Sequence, residues 1–451
     1  MDFLQACRQL ISFDSGPNQS TLEMIHWLKE YCEHKGFQVE LQEEDSLEQK
    51  QANILVRPKT SSENRPPVEF LFQTHLDTRD PGSFNLWEKT SYNPFEAHII
   101  SERIYGLGSA DTKLDFLCKI AALEKLGVQK KWILPPVLVG TYGEETGMAG
   151  ALKLIRKNKV NAKYALIGEP TDLKISYASK GFAALEIQIP FSEEEISYRN
   201  EHDLKESTST QSRVFHGIEA HGATPELGDN AITKLFEYLL NLPQNCVIMN
   251  MEGGVNYNTV PSNAFLEVDI ITLKKPQTLT RLTTIYKTIT QIQSDFKKYV
   301  DNEFSPNQPT LNIGLVKTFK NYIQILATCR IPPSIQSETL ENWLDTIKSS
   351  CHAVQCQFQI NDYKKPFRVP DNSILLKSCI DEARSIGLES EIITLSSTNE
   401  ASLFSRLGVE CVCFGPGERG DNLHTAKESV KISQLNQAIE FYARLMKRLC
   451  L

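Results

Sequence analysis

The sequence contains no apolar run that approaches the roughly 20 residues needed to cross a bilayer. It also lacks a Lys/Arg block or basic tail, and its formal net charge is −8, which argues against nucleic acid or an anionic membrane surface as a partner. Its start, "MDFLQACRQLISFDS", is too acidic and too mixed for a signal peptide. We therefore expect a cytoplasmic protein that binds neither membranes nor nucleic acids.

No CxxC pair occurs among the eleven cysteines, and an odd number in so long a chain does not suit a disulfide framework. We expect reduced and mostly buried thiols. The "CVC" segment at 411–413 alternates like part of a strand, which favours a core position over a metal site. With 451 residues, of which 41% are hydrophobic and 23% charged, the chain has the composition of a globular protein and the length of two domains.

Helical and strand patterns alternate through the first part of the chain and again near its end. The early helices are predicted at 19–34, 112–126 and 148–157, and the early strands are "FQVEL", "NILVR", "VEFLFQ", "PVLVGTY" and "KYALIG". The alternation returns with helices at 373–386, 400–407 and 430–449 and the strands "EIITLSS" and "VECVCFG". This pattern predicts an α/β domain with an open, parallel or mixed sheet flanked by helices.

The middle of the chain has a different pattern, with four or so strands and helices at 230–240 and 279–296. It predicts a second, smaller α+β domain over 178–335, inserted into a discontinuous first domain of 1–177 and 336–451. Within it, residues 192–213 are rich in charged and hydroxyl side chains and contain few apolar ones. That composition predicts a solvated or partly disordered loop.

Acids and histidines follow the predicted strands, and ligands of open α/β sheets bind beyond the carboxyl ends of strands. These residues are His75 and Asp77 in "THLDT", Glu144 and Glu145 in "GEETG", Glu169 in "GEPT" and His424 in "NLHTAKE"; Asp111 lies in a glycine-containing turn before a helix. All of these side chains could face one crevice.

Each residue also has a purely structural interpretation. Asp111 could cap the following helix, with Thr112 and Asp115 as a capping pair. His75 could be a half-buried histidine with satisfied hydrogen bonds, and His424 could lie on the surface. Glu169 could belong to a turn, and the adjacent Glu144 and Glu145 could favour the dipole of the next helix.

A single metal site explains all of these residues together. Two histidines and three carboxylates suit a pair of divalent first-row ions with one position left for water. Zinc is the default choice, and cobalt and manganese are compatible with the same ligand types.

Five motifs, "HLD", "GLGSADTK", "GEETG", "GEPT" and "GPG" followed by "HTAKE", occur in the order found in one family. The chain resembles the acetylornithine deacetylase and succinyl-diaminopimelate desuccinylase family of co-catalytic metal hydrolases. In the smaller domain, "AHGATPELGDNAI" and "GGVNYNTVPSNAFLEVDI" resemble that family's segments. The resemblance implies a di-metal hydrolase domain and an inserted lid or dimerisation domain.

The resemblance also implies a role for each site residue. Asp111 would bridge two metal ions, one of which adds His75 and Glu169, and the other Glu145 and His424. Asp77 would orient His75. Glu144 would be the general base. His221 would contact the substrate carbonyl, often from the other subunit of a dimer.

In the implied mechanism, a metal-activated water attacks an amide carbonyl while Glu144 takes its proton and later passes it to the leaving amine. Two departures from the family pattern bear on the substrate: "TRDPG" replaces a valine–proline ending, and "DTKLD" stands where "DMKG" is common. The segment 192–213 is unlike compact members of the family, which leaves the oligomeric state open.

Three functions fit the sequence. The first is deacylation of an N-acyl amino acid, since "GPGERGDNLHTAKESV" and "RIPP" look most like the branch that acts on acylated ornithine or lysine-type amino acids. The second is a dipeptidase or carboxypeptidase of the same family, and the third a non-catalytic binding protein on this fold. Asn258 and Arg330 are candidates for binding the polar end of the substrate, because guanidinium binds carboxylate in a forked geometry. Arg330 could equally be an ordinary arginine at a strand end.

Overall fold

The computed structural model describes residues 1–44, 49–59, 68–127, 131–202, 210–270, 277–389 and 391–451. Its α-helices are α1 (Phe3–Ile11), α2 (Leu22–His34), α3 (Lys113–Leu126), α4 (Ala149–Arg156), α5 (Glu193–His202), α6 (Ala231–Leu239), α7 (Thr278–Phe296), α8 (Ser337–Ala353), α9 (Ile374–Ser385), α10 (Ala401–Ser405) and α11 (Ile432–Cys450).

The strands are β1 (Gln38–Glu44), β2 (Gln51–Arg57), β3 (Glu69–His75), β4 (His98–Ile100), β5 (Arg103–Tyr105), β6 (Pro136–Thr141), β7 (Ala162–Gly168), β8 (Ile175–Ser179), β9 (Gly181–Pro190), β10 (Thr210–His216), β11 (Ala220–His221), β12 (Cys246–Gly253), β13 (Thr259–Val260), β14 (Asn263–Ile270), β15 (Thr310–Thr318), β16 (Tyr322–Ile331), β17 (Gln357–Lys364), β18 (Phe367–Arg368), β19 (Ile392–Leu395), β20 (Glu410–Cys413) and β21 (Ser429–Lys431).

The chain forms two compact units, which we call the first and the second unit. The first comprises Met1–Ala178, Phe367–Thr394 and Asn399–Leu451, and the second comprises Ser179–Pro366 and Leu395–Thr398. The second unit extends past residue 335, where the sequence pattern places the end of the smaller domain, because β17 pairs along its length with β9. A lid or dimerisation role for the second unit stays a prediction.

The first unit is built on a mixed sheet in the order β1-β2-β6-β3-β7-β20-β8-β18, with β19 paired to β8. Its centre is parallel, since β3 pairs in parallel with both β6 and β7, and β7 with β20. β6 is buried throughout and β3 nearly so, as expected for parallel strands covered on both faces. The predicted open mixed sheet flanked by helices is confirmed.

The second unit contains an antiparallel sheet in the order β10-β14-β12-β15-β16-β9-β17. Helices α6, α7 and α8 share one hydrophobic core with this sheet. Along β14, alternate residues are buried, because neighbouring side chains of a strand point to opposite faces. A short additional ladder joins β11 to β13.

The prediction of a loop over 192–213 is wrong where the structure describes that segment, since it contains α5 and the start of β10. Ser192 and Glu195 form a reciprocal cap: the Ser192 N–H donates to Glu195 Oε2 at 2.8 Å, and the Glu195 N–H donates to Ser192 Oγ at 3.3 Å. Glu195 is fully buried and also accepts the Thr278 hydroxyl at 2.8 Å. Residues 203–209 lie outside the described part of the chain.

All eleven cysteines are buried free thiols, as predicted. Two of them, Cys411 and Cys413, belong to β20 in the core of the first unit. Among the described residues, no helix is both long and apolar enough to cross a membrane.

Candidate metal centre

Candidate ligands follow the parallel strands at the centre of the first unit. His75 is the last residue of β3, Glu169 follows β7 directly, and Glu144 and Glu145 lie just beyond β6. His424 lies in the loop after β20. Parallel strands present their carboxyl ends at one edge of a sheet, so the topology brings together side chains that are far apart in the sequence.

Asp111 lies between the two histidines. Its Oδ1 is 3.3 Å from His75 Nε2, and its Oδ2 is 3.1 Å from His424 Nε2. Each carboxylate oxygen therefore faces a different imidazole. This is the arrangement that a carboxylate shared between two ions requires.

Glu145 completes a group with Asp111 and His424 in which one ligand atom from each residue lies within 4.8 Å of the others. Glu145 Oε1 is 3.7 Å from His424 Nε2, whereas its Oε2 accepts a hydrogen bond from Arg79 Nε at 2.8 Å. One oxygen of Glu145 thus faces the group, and the other is held by a guanidinium.

The tautomer of His75 suits a metal ligand. Its Nδ1 lies 3.1 Å from the backbone carbonyl oxygen of Asp77. Because a carbonyl only accepts hydrogen bonds, Nδ1 carries a proton, which leaves Nε2, 3.3 Å from Asp111 Oδ1, as the nitrogen that can bind a metal ion.

The Asp77 carboxylate has a second set of contacts that the sequence did not indicate. It lies 3.7 Å from His75 Nδ1, but it accepts the backbone N–H groups of Glu144 at 3.1 Å and Glu145 at 3.0 Å. It thereby holds the turn that carries both glutamates.

The acids of the site are partly or fully buried, and they repel one another. Burial and the nearby Asp111 raise the pKa of Glu169 to about 7 and also raise that of Glu145. Burial raises the pKa of Glu144 well above its ordinary value, although His75 opposes this shift. Such a concentration of carboxyl groups beside two imidazoles is the donor set of a divalent cation site. The residues present therefore fit a pair of ions.

Glu169 and Glu144 stand apart from the group of three ligands. Glu169 Oε2 lies 4.0 Å from Arg419 Nη1, and the relation of Glu169 to Asp111 is electrostatic, since the Asp111 charge helps to raise the pKa of Glu169. Glu144 is half-buried. No side chain in the described ranges donates a hydrogen bond to its carboxylate, so this group can engage a water molecule.

The interpretation of Asp111 as a helix cap is wrong. The N-terminus of α3 has no side-chain cap, and the Asp111 carboxylate contacts histidines instead. The Thr112 hydroxyl donates to the backbone oxygen of His75 at 2.9 Å.

His221, Asn258 and Arg330 lie together in the second unit. Asn258 Oδ1 accepts a hydrogen bond from Arg330 Nη2 at 2.7 Å, and Asn258 Nδ2 lies 3.4 Å from His221 Nε2. The backbone N–H of Ala223 donates to His221 Nδ1 at 3.1 Å. The Arg330 guanidinium also stacks over the Phe182 ring, 4.5 Å from its centroid.

Three residues of the first unit were not identified from the sequence as contributors to this centre. They are Arg79, which donates a hydrogen bond to Glu145; Glu428, which accepts the backbone N–H of Asp111; and Glu400, which interacts electrostatically with His75. Glu400 is buried, and it accepts hydrogen bonds from Thr141 Oγ1 at 3.0 Å and from the Gln73 amide. Because Thr141 belongs to β6 and Gln73 to β3, the Glu400 carboxylate links these two strands. No local pattern marks these residues, since their partners are distant in the sequence.

Comparison with known proteins gives one family. The profile described as peptidase family M20/M25/M40 matches residues 71–448. The chain is 23% identical over 464 aligned residues to an acetylornithine deacetylase of Aliivibrio salmonicida (strain LFI1238), and the alignment covers 100% of this chain and 99% of that protein.

Solved structures share the fold. An aminoacylhistidine dipeptidase from Vibrio alginolyticus matches with a TM-score of 0.64 at 14% identity, covering 99% of this chain and 96% of the other. The Bacillus subtilis YXEP protein, named as a dinuclear metal-binding peptidase of the M20 family, matches with a TM-score of 0.54 at 12% identity, covering 98% and 96%. At such identities these structures bear on the fold alone.

Proposed function

Because this chain belongs to peptidase family M20/M25/M40, we propose that it is a metal-dependent hydrolase that cleaves the amide bond of an N-acyl amino acid. The observation that carries the proposal is the position of Asp111, whose two oxygens face His75 at 3.3 Å and His424 at 3.1 Å. A carboxylate placed between two imidazoles in this way suits a pair of ions.

We assign the ligands as follows. Asp111 would take part in both ion sites, His75 and Glu169 would complete one site, and Glu145 and His424 would complete the other. Zinc is the proposed metal, and cobalt and manganese suit the same nitrogen and oxygen donors. In support of this assignment, the ligand atoms of Asp111, Glu145 and His424 lie within 4.8 Å of one another.

When bound, the two ions would lower the pKa of a water molecule and polarise the amide carbonyl. The role proposed for Glu144 is that of the base: its carboxylate would accept a proton from the attacking water as the water oxygen bonds to the carbonyl carbon. Glu144 would then give the proton to the nitrogen as the C–N bond breaks, which yields an amine and a carboxylic acid; the acid ionises at neutral pH, and the amine takes up the released proton.

His221 is proposed to stabilise the carbonyl oxygen as negative charge develops on it. The Ala223 N–H donates to Nδ1 of this ring, and its Nε2 lies 3.4 Å from Asn258 Nδ2, so the imidazole is held beside the two residues proposed to bind the substrate. Asn258 and Arg330 are proposed to bind the polar end of the substrate. Their mutual hydrogen bond of 2.7 Å supports a role as one unit.

Acylated ornithine or lysine-type amino acids are the proposed substrates, and the alignment with an acetylornithine deacetylase along 99% of that protein supports them. We also propose a homodimer in the cytoplasm. The burial of all eleven thiols as free cysteines suits a reducing compartment.

The proposal is tested with protein that has been stripped by a chelator and reloaded separately with zinc, cobalt or manganese. Each form is assayed on N-acetylornithine, N-acetyl-lysine and a panel of dipeptides, with N-acetyl amino acid amides as controls without a carboxylate. We expect metal-dependent release of acetate from the N-acetyl amino acids. Faster cleavage of dipeptides would make the chain a peptidase, and no metal-dependent hydrolysis of either class would overturn the proposal.

A further inference from the structure

Glu428 is a buried acid that the proposed mechanism does not use. It is 2% exposed, follows His424 by four residues and directly precedes β21. It therefore lies at the end of the loop that carries one candidate ligand.

The Glu428 side chain reaches into the loop that carries another ligand. Its Oε1 accepts the backbone N–H of Ala110 at 2.9 Å and that of Asp111 at 3.1 Å. Its backbone oxygen also accepts the N–H of Gly106 at 3.2 Å. One residue thus contacts the loop 106–111 with both its main chain and its side chain.

A short ladder continues this connection. β21 pairs antiparallel with β5, with Ser429 opposite Tyr105. The loop 106–111 begins where β5 ends, and the loop 424–428 ends where β21 begins. The ladder and Glu428 therefore join two loops that are more than 300 residues apart in the sequence.

A carboxylate is a costly way to satisfy these backbone groups. Glu428 is 2% exposed, and a neutral amide could accept the same N–H groups without the cost of burying a charge. In either form, a single buried side-chain oxygen at this position holds the Asp111 backbone in place.

We propose that Glu428 is a positioning residue that holds Asp111 in register with His424, so that each oxygen of Asp111 faces its own imidazole. The inference rests on the proposed function, because it concerns the bridging ligand of the two ions. Without Glu428, two buried N–H groups lose their acceptor and the loop 106–111 can shift relative to His424.

Binding of cobalt measures this role without relying on turnover. The variants are Glu428→Ala, Glu428→Asp, whose side chain is one methylene too short, and Glu428→Gln, which keeps an oxygen at the same distance. Glu440→Ala is the control, since Glu440 pairs with Lys125 and Arg444 on helices α3 and α11, contacts neither loop and is not a ligand. Equilibrium dialysis gives affinity and stoichiometry, and electron paramagnetic resonance reports coupling between two cobalt ions.

We expect the wild type, Glu428→Gln and the control to bind two coupled cobalt ions. We expect Glu428→Ala and Glu428→Asp to bind them about 10–100-fold more weakly and to lose the coupling, as for other residues that orient metal ligands. If Glu428→Ala does not fold, the comparison of the Asp and Gln variants carries the test. Wild-type affinity and coupling in Glu428→Asp would overturn the inference alone, whereas a wild type that binds no cobalt would overturn the proposed function as well.

Discussion

The carboxylate of Asp77 accepts the backbone N–H of Glu144 at 3.1 Å. It also accepts the N–H of the adjacent Glu145 at 3.0 Å. Asp77, the last residue of the "HLD" motif, therefore shapes the turn that carries the proposed base Glu144 and the proposed ligand Glu145. The ends of β3 and β6 are coupled through this side chain.

Replacing Asp77 tests that coupling. Asp77→Ala leaves two N–H groups without their acceptor, so we expect zinc affinity to fall by about 10–100-fold and turnover to fall with it. Isothermal titration with zinc measures the first effect. Asp80→Ala is the control, because Asp80 caps only the local turn at Gly82. Unchanged zinc affinity and turnover in Asp77→Ala would contradict the coupling.

We expect the two adjacent glutamates to have different functions, Glu144 as the general base and Glu145 as a metal ligand. We expect Glu144→Gln to keep its zinc content and lose about 10²–10⁴-fold in kcat, because an amide cannot accept the proton. Glu145→Gln should instead bind zinc more weakly and recover part of its activity in excess metal. The measurement is zinc content and kcat for both variants at several zinc concentrations. Near-normal kcat in zinc-loaded Glu144→Gln would rule out its role as the base.

Metal removal should lower thermal stability. Bound ions neutralise the buried carboxylates and bind only the folded protein, so zinc at 100 times its Kd should contribute about 2.7 kcal/mol. Calorimetry of the chelator-treated protein with and without added zinc should show a higher Tm with zinc. The variant Asp111→Asn should show a much smaller increase. An equal increase in both would place the bound ions elsewhere.

The buried ion pair of α3 should matter more for stability than an exposed one on the same helix. Lys119 and Asp115 are fully buried and 2.7 Å apart, so Lys119→Met leaves an unpaired buried charge and should cost about 3–5 kcal/mol. Adding Asp115→Asn should recover part of that loss. The control is Lys125→Met, which removes an exposed pair with Glu440 and should change stability by less than about 1 kcal/mol. Urea denaturation measures all three, and equal losses for Lys119→Met and Lys125→Met would refute the expectation.

Glu186 of β9 should make the second unit sensitive to acid. Although its partial burial opposes ionisation, the side-chain amides of four neighbours lower its pKa to about 2; these are Gln188, Gln324, Gln359 and Asn361. A carboxylate with a lowered pKa stabilises the fold above its unfolded pKa of about 4.3, and this contribution is lost as the pH falls toward 2.

The comparison of wild type with Glu186→Gln isolates this effect. The variant places an amide among amide donors, so we expect it to be about 1–3 kcal/mol less stable at pH 7. The difference should shrink between pH 4.3 and pH 2, as measured by urea denaturation. Glu252→Gln, at an exposed position of β12, is the control. A difference that stays constant down to pH 2 would contradict the lowered pKa.

Local patterns in the sequence were sufficient to predict the family and the fold of the first unit. The order of five motifs gave the family that the profile over residues 71–448 confirms. Apolar segments such as β6 are buried along their whole length. A strand of this kind can be recognised in the sequence because both of its faces are covered, so that nearly every residue is apolar. The ends of these strands locate candidate ligands without any knowledge of distant contacts.

The error at α5 had a local cause. The charge of residues 192–213 suggested a loop, but Ser192 and Glu195 have the spacing of a capping box, and Glu195 is buried against Thr278. Composition averages over a segment, whereas one acid with a buried partner can hold the start of a helix.

Tertiary structure alone decided which groups hold the candidate ligands in place. Asp111 and His424 meet at 3.1 Å because β5 pairs with β21 and Glu428 binds the Asp111 loop. These contacts join residues more than 300 positions apart, and no periodicity or short motif encodes them. The sequence determined which side chains are available at the strand ends, since that depends on local patterning, and the packed fold determined their partners, since hydrogen-bond geometry depends on distance in space.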